Sequence, residues 1–258
     1  MSEHGTVRRI ARSRTRFAVA AWVVALLGGL PALSVGQLIE FDDEKVFGYA
    51  LFDILEVAPN VDGRPVDWDF AGWIGKNYTR IWFKSDGNLY NGQERSGEME
   101  FQALYSRLIA PYWELQAGVR ADVADGSGDS RNRTHLVLGV EGLAPYWFEI
   151  EPAVFISQDG DLSASLAATY DLFMTQRIIV QPRLDIAAAA QEVPDWGVGS
   201  GLNGFGLGLR IRYEIRREFA PYVGVRWTRR TGGSADLARL TGEDTEMVGL
   251  VAGLRLWR

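Results

Sequence analysis

The side chains best suited to hold a metal ion in this sequence are one histidine and two glutamates. Two segments of alternating apolar and polar residues contain His135, Glu98 and Glu100, and each of the three occupies a polar position of its segment. An imidazole with two carboxylates can bind a borderline divalent metal ion, so we predict a weak metal site here. The alternative is that these groups pair with Arg120 and Arg133, which share their parity, and bind no ion.

The residue inventory disfavours several other kinds of chemistry. The 258 residues include two His and no Cys, which leaves no disulfide, thiolate metal cage or catalytic thiol. The net charge of −6, without a basic face, argues against nucleic acid as a partner. His135 has no evident relay to Ser106 or Ser157, so the sequence predicts that the protein is not an enzyme.

The candidate residues are carried by segments in which apolar and polar side chains alternate. In Phe205–Ile215, the odd positions are apolar and oppose Arg210, Arg212 and Glu214. A period of two is that of a β-strand. Twelve strands are predicted, with ten as the alternative because the first two alternate poorly. They are residues 46–57, 66–75, 79–89, 95–107, 111–123, 131–143, 146–158, 161–172, 176–188, 203–216, 218–231 and 246–258.

Two architectures could hold such strands: a soluble β-sandwich with its apolar faces inside, or a membrane barrel with them facing lipid. Polar faces with both signs of charge suit a closed lumen, and the connections alternate between short and long. We therefore predict an all-β fold, a transmembrane antiparallel up-and-down β-barrel over residues 46–258, without an internal helix of useful length. The short connections are Leu108–Pro111, Leu143–Pro145 and Phe173–Thr175, and the long ones are Asp125–Asn132, Ala189–Leu202 and Thr231–Thr245.

The tripeptide Ala-Pro-Tyr occurs three times, beginning at Ala110, Ala144 and Ala220. Proline interrupts strand pairing, and amphipathic aromatic rings favour a membrane–water interface. We predict that each copy is a periplasmic turn followed by an aromatic anchor. The alternative is an ordinary hairpin turn with core aromatics.

The N-terminus has the pattern of an export signal. Five Arg precede the apolar run Phe17–Leu30, and small residues follow. This predicts a signal peptide over residues 1–36, with a membrane anchor as the alternative, and a short lead-in over residues 37–45. A barrel with such a signal belongs in the bacterial outer membrane, with its lipid as a partner.

Blocks throughout the barrel region resemble the copper resistance protein B family. Each block alone is weak, but their joint occurrence from Val46 to the end is specific. The blocks include Gly72-Trp-Ile-Gly75, Arg80-Ile-Trp-Phe-Lys84, Ala110-Pro-Tyr-Trp113, Leu143-Ala-Pro-Tyr-Trp-Phe-Glu149 and Arg212-Tyr-Glu-Ile-Arg-Arg-Glu-Phe-Ala-Pro-Tyr222.

The resemblance implies an outer-membrane protein of copper homeostasis that binds copper ions or assists their removal, with periplasmic copper-handling proteins as candidate partners. Copper is then the implied ion for His135, Glu98 and Glu100. Many members carry a long segment rich in Met and His before the barrel, and this sequence has no counterpart of it. The alternative function is therefore a structural or passive-pore barrel without copper binding.

Overall fold

The computed structural model of the chain describes residues 45–90, 96–126 and 129–258. The predicted signal peptide, and the predicted lead-in apart from Lys45, lie outside the described residues and stay predictions. The strands are β1 Phe47–Val57, β2 Val66–Gly75, β3 Thr79–Tyr90, β4 Ser96–Ala110, β5 Trp113–Gly126, β6 Asp129–Ala144, β7 Phe148–Ser157, β8 Leu162–Thr169, β9 Leu172–Phe173, β10 Ile178–Ala189, β11 Gly201–Tyr213, β12 Phe219–Arg230 and β13 Glu246–Trp257. In the described part of the chain, the helix α1 spans Gly232–Thr241, and short 3-10 turns span Pro145–Trp147 and Pro194–Trp196.

The strands form one closed antiparallel ring. Apart from β8 and β9, which do not pair with each other, each strand pairs with its neighbours in sequence, and β1 pairs with β13 to close the ring. The short strands β8 and β9 both pair with β10, so together they are one interrupted strand of the wall. The predicted barrel of twelve strands is confirmed, and the alternative of ten is excluded. At 10 to 16 residues, most wall strands are long enough to cross a bilayer at a tilt.

β1 contains the irregularity that disturbs its alternation. Its register with β2 shifts between Phe52 and Ile54, which marks a β-bulge. Asp53 within the bulge and Glu56 beyond it both form ion pairs inside the lumen. Strict alternation would put these two residues on opposite faces, but one extra residue in a bulge reverses the phase. The poor pattern of this segment therefore reflects a bulge and not a missing strand.

The wall is apolar outside and polar inside. On β6, the side chains of Leu136 and Leu138 are 62% and 56% exposed, whereas Arg133 and His135 are 7% and 5% exposed. This is the partition of a barrel whose outer face meets hydrocarbon. The protein is therefore an outer-membrane β-barrel. Among the described residues, no helix is long and apolar enough to cross a membrane.

Two of the three Ala-Pro-Tyr copies are turns, as predicted. Tyr112 and Tyr146 have left-handed backbone angles at the short connections, and the rings of Tyr112 and Trp147 contact edge to face, with 6.3 Å between centroids. The prediction is wrong for the third copy. Pro221 and Tyr222 lie within β12, and the Tyr222 hydroxyl donates to Glu56 inside the lumen.

The long connections differ from the prediction in two places. Residues predicted as the loop 125–132 largely continue β5 and β6, so this hairpin is mostly strand. The loop 231–245 contains the ten-residue helix α1, so the prediction of a fold without an internal helix is wrong. A helix that opens with two glycines has a weak sequence signal, since glycine has poor helix propensity. α1 ends at Gly242, whose left-handed conformation lets its N–H bond the last turn.

Candidate metal site in the barrel lumen

A wide cavity occupies the half of the lumen near the long loops. This upper cavity has a volume of about 1450 Å³ and is lined by Asn60 and residues 242–248 at its mouth. It reaches down to Lys84, Glu151 and Arg183. Among the described residues, the following lumen-facing side chains lie nearer the short turns and do not line it: Asp53, Arg80, Glu114, Arg212 and Arg255.

Ion pairs cross the lumen at the bottom of the upper cavity. Arg183 Nη1 on β10 lies 3.0 Å from Asp69 Oδ2 on β2. Lys84 Nζ on β3 lies 2.7 Å from Glu141 Oε2 and 2.8 Å from Glu151 Oε2. We call this layer the floor; it comprises Asp53, Asp69, Lys84, Glu141, Glu151, Arg183 and Arg255. These paired charges span the lumen between its two ends.

The lumen is not lined by polar side chains alone. Trp82, Leu104, Val137 and Phe155 are buried against one another on β3, β4, β6 and β7. All four have the parity of the lumen face in their strands. This apolar cluster excludes water beside the floor, which strengthens the electrostatic interactions of the neighbouring charges.

His135 is buried in the wall of a second, smaller cavity. Its Nδ1 atom has no hydrogen-bond partner among the described residues and lies 3.6 Å from Asp122 Oδ2 on β5. A buried imidazole nitrogen without a partner loses its hydration and gains nothing in exchange. Nδ1 is therefore a candidate ligand atom for a cation.

Glu98 and Glu100 line the same small cavity as His135, as their parity predicted. Glu100 is already paired: its Oε2 accepts from Arg120 Nη2 at 2.7 Å, and its Oε1 accepts from Gln102 Nε2 at 2.5 Å. The structure thus gathers the three predicted donors around one space. It also forms the Arg120 ion pair that was the alternative.

The small cavity is acidic. It has a volume of about 230 Å³ and is lined by five carboxylates against two guanidinium groups, those of Arg120 and Arg133. An excess of negative charge around a confined space attracts cations. The five carboxylates are those of Asp86, Glu98, Glu100, Asp122 and Asp161.

Sequence reasoning missed Asp122 and Asp161. Asp122 lies directly opposite Glu100 on β5, and its carboxylate also accepts from Arg120 Nε at 2.6 Å. Asp161 follows β7 and pairs with Arg133. The parity of Asp122 was visible in the sequence, but its height relative to His135 depends on the strand register. Asp161 lies in a turn, where alternation gives no signal.

A second group of possible ligands lies in the floor. Glu141, Glu149 and Glu151 are the described donor residues whose ligand atoms all lie within 4.8 Å of one another. Lys84 pairs with two of them and Gln116 Nε2 donates to Glu141 at 2.8 Å. The lysine ammonium already occupies the position that a cation would take.

Ser157 lies directly opposite His135, which the sequence had not indicated. Its Oγ donates to Asp161 at 3.2 Å and accepts from the backbone N–H groups of Asp159 and Asp161. Those bonds close the turn after β7 and aim the hydroxyl away from the imidazole. Ser157 is therefore a turn residue in this arrangement rather than a nucleophile poised on His135.

Known proteins resemble this chain in fold or in sequence. Among solved structures, the KdgM porin has a TM-score of 0.44 at 9% identity, covering 81% of this chain and 98% of that chain. A loop-deletion mutant of OmpT from Vibrio cholerae has a TM-score of 0.38 at 8% identity, covering 84% of this chain and all of that one. Likeness of this degree carries no argument about function.

The sequence comparisons are closer. The profile described as "Copper resistance protein B precursor (CopB)" matches residues 46–258. Copper resistance protein B of Escherichia coli is 39% identical over 215 residues, covering 83% of this chain and 71% of the relative. The homologue from Pseudomonas syringae pv. tomato gives the same identity and coverage. This chain therefore belongs to the copper resistance protein B family.

Proposed function

We propose that this protein confers copper resistance by holding copper ions in its lumen at His135, with Glu98 and Glu100 as accompanying donors. Two relatives at 39% identity are named for copper resistance, which supports the coarser role. In this proposal the barrel holds ions and catalyses no reaction. Periplasmic copper-handling proteins are the partners to which such a barrel would be linked.

The observation that carries the proposal is the unsatisfied nitrogen of His135. The ring is 5% exposed and faces the acidic small cavity. Its Nδ1 has no hydrogen-bond partner among the described residues and lies 3.6 Å from Asp122 Oδ2. Imidazole is the preferred donor for Cu(II), and carboxylates complete such sites. A metal ion at Nδ1 would supply the missing interaction and neutralise part of the surrounding negative charge.

The floor disfavours the alternative of a passive pore. A pore needs a hydrated path along the whole lumen, and in the described residues the upper cavity ends at a layer of cross-lumen ion pairs. A cavity open at one end suits the retention of ions better than their passage.

Copper titration of the refolded protein in detergent tests the proposal. We expect one saturable Cu(II) site that weakens at least tenfold in His135→Ala, since the imidazole would be the strongest donor. Gln181→Ala is the matched control, because Gln181 is an equally buried lumen residue away from the small cavity, bonded to Asp171. Affinity no better than that of an unrelated barrel, or equal loss in both variants, would exclude the site.

A further inference from the structure

We infer that Arg120 is a resident counter-ion at this site, and that Cu(II) binds by displacing its guanidinium from Asp122 and Glu100. This inference rests on the proposed function, because it concerns the same cavity. It adds Asp122 as a ligand, assigns the oxidation state, and gives Arg120 an inhibitory role.

The first support is the position of the two carboxylates. Glu100 on β4 and Asp122 on β5 are direct cross-strand partners. Like charges in that position repel, and a cation between them relieves the repulsion. Arg120 supplies this cation, with Nη2 at 2.7 Å from Glu100 and Nε at 2.6 Å from Asp122.

The second support is the imidazole of His135, whose Nδ1 atom this arrangement leaves without a hydrogen bond. His135 is the cross-strand partner of Arg120, yet its Nδ1 atom has no hydrogen bond among the described residues and points to Asp122 from 3.6 Å. While the guanidinium holds Asp122, the imidazole and the carboxylate have no shared ion. An ion bound to both would join His135 to the carboxylate that Arg120 now occupies.

The third support is a place for the displaced guanidinium. Asp86 is the cross-strand partner of Glu100 on β3, and it lines both cavities. In the described part of the chain, no hydrogen bond or ion pair is made by its carboxylate. A rotation of the long arginine side chain towards Asp86 would exchange one carboxylate for another and keep the charge compensated.

The donor set favours Cu(II) over Cu(I). The atoms that converge are an imidazole nitrogen and carboxylate oxygens, whereas Cu(I) selects thiolate and thioether sulfur. Met99 has the outward parity of β4, yet it is the one thioether among the described residues that line the small cavity. The remaining donors are those of a borderline divalent ion.

Copper titrations of Arg120 variants test the inference. We expect Arg120→Gln to bind Cu(II) about tenfold more tightly than the unmodified protein, because charge-assisted bonds no longer compete for the ligands. Arg133→Gln is the matched control: it removes the same charge from the same cavity but frees Asp161 instead. A gain that is equal in both variants would show a general effect of charge and would overturn the inference.

Four further measurements make the result independent of folding differences. Arg120→Lys keeps a cation but cannot grip both carboxylates, so its affinity should lie between those of the unmodified protein and Arg120→Gln. Asp122→Asn should weaken the binding of Cu(II) at least tenfold. The electron paramagnetic resonance spectrum of the copper-loaded protein should show coupling to one imidazole nitrogen, and this coupling should disappear in His135→Ala. Met99→Leu should leave the titration unchanged. Retained affinity in Asp122→Asn would exclude this ligand.

The two proposals fail in different ways. If the unmodified protein binds Cu(II) through His135 and Arg120→Gln is unchanged, the proposed function stands and the inference about Arg120 falls. If only Arg120→Gln binds, Arg120 is a counter-ion but the native protein is not a copper-binding barrel. If neither binds, both proposals are wrong.

Discussion

Arg183 on β10 and Asp69 on β2 form an ion pair through the middle of the barrel, with 3.0 Å between Nη1 and Oδ2. Their strands are five positions apart around the wall of twelve, so the pair bridges two nearly opposite sides. Asp185 and Asp53 lie 3.0 and 3.9 Å from the same guanidinium. A bar of paired charges thus crosses the lumen at this level.

Breaking this bar should make the barrel more conductive. We expect the unmodified protein to show little ion current in planar bilayers, and the Asp69→Asn, Arg183→Gln double variant to show larger steps, since the cross-lumen pair is gone. Arg239→Gln is the control, because its ion pair with Asp236 lies on exposed α1. Large, stable conductance in the unmodified protein would contradict a closed floor.

Cysteine labelling should show that the upper cavity opens to the cell exterior. The chain has no native Cys, so single cysteines report one position each. Thr228→Cys, in the wall of the upper cavity, should react with an impermeant maleimide on intact cells. Thr175→Cys, in a short connection, should react only after the outer membrane is permeabilised. The reverse order of reactivity would invert the orientation of the barrel.

Glu56 should be the most sensitive charge in the barrel. Its side chain is fully buried, accepts two bonds from Arg210 at 2.8 and 2.9 Å, and accepts a third from the Tyr222 hydroxyl at 3.1 Å. Removing one partner leaves the other charge buried and unpaired, so Glu56→Ala should lower the free energy of unfolding by about 3–5 kcal/mol. Tyr222→Phe should cost about 1 kcal/mol.

Urea unfolding from lipid vesicles measures both values. The Glu56→Ala, Arg210→Ala double variant should be less destabilised than the sum of the two single variants, because neither charge is then left alone. Additive losses would mean that the two groups do not act as a pair.

An added charged side chain should be tolerated on the lumen face of the barrel wall and not on its lipid face. Leu138→Arg places a guanidinium on the lipid face, where it should cost about 2–4 kcal/mol near the bilayer midplane. Ser165→Arg makes the same addition on the lumen side, at the edge of the upper cavity, and should cost less. Folding yield into vesicles compares the two. Equal losses would argue against a lipid-facing surface at Leu138.

Gly199 should be required for the seating of α1. A Cβ atom added there would lie 2.2 Å from the Ser234 nitrogen and 2.3 Å from the Gly233 carbonyl carbon. Gly199→Ala should therefore displace the helix and speed hydrogen exchange over residues 232–241. Gly206→Ala is the control, because its added Cβ would meet nothing closer than 3.6 Å. Unchanged exchange in Gly199→Ala would exclude this contact.

The barrel could be predicted because its strands obey a local rule. Alternation in segments such as Phe205–Ile215 assigns each side chain to lipid or lumen without knowledge of any distant contact. β1 failed that rule since a bulge changes its phase between Phe52 and Ile54. The turn predicted at the third Ala-Pro-Tyr was wrong for another reason. Tyr222 forms a hydrogen bond to Glu56, which is 166 residues away in sequence.

The sequence by itself determined which face of each strand is polar, and hence that His135, Glu98 and Glu100 look into the lumen. Only the tertiary structure decided which of these groups meet. Parity fixes a direction, whereas height and distance depend on strand register and barrel closure, which brought Asp122 to His135 and Arg120 to Glu100. The floor is likewise a product of closure, because Arg183 and Asp69 can pair only when the wall curves back on itself.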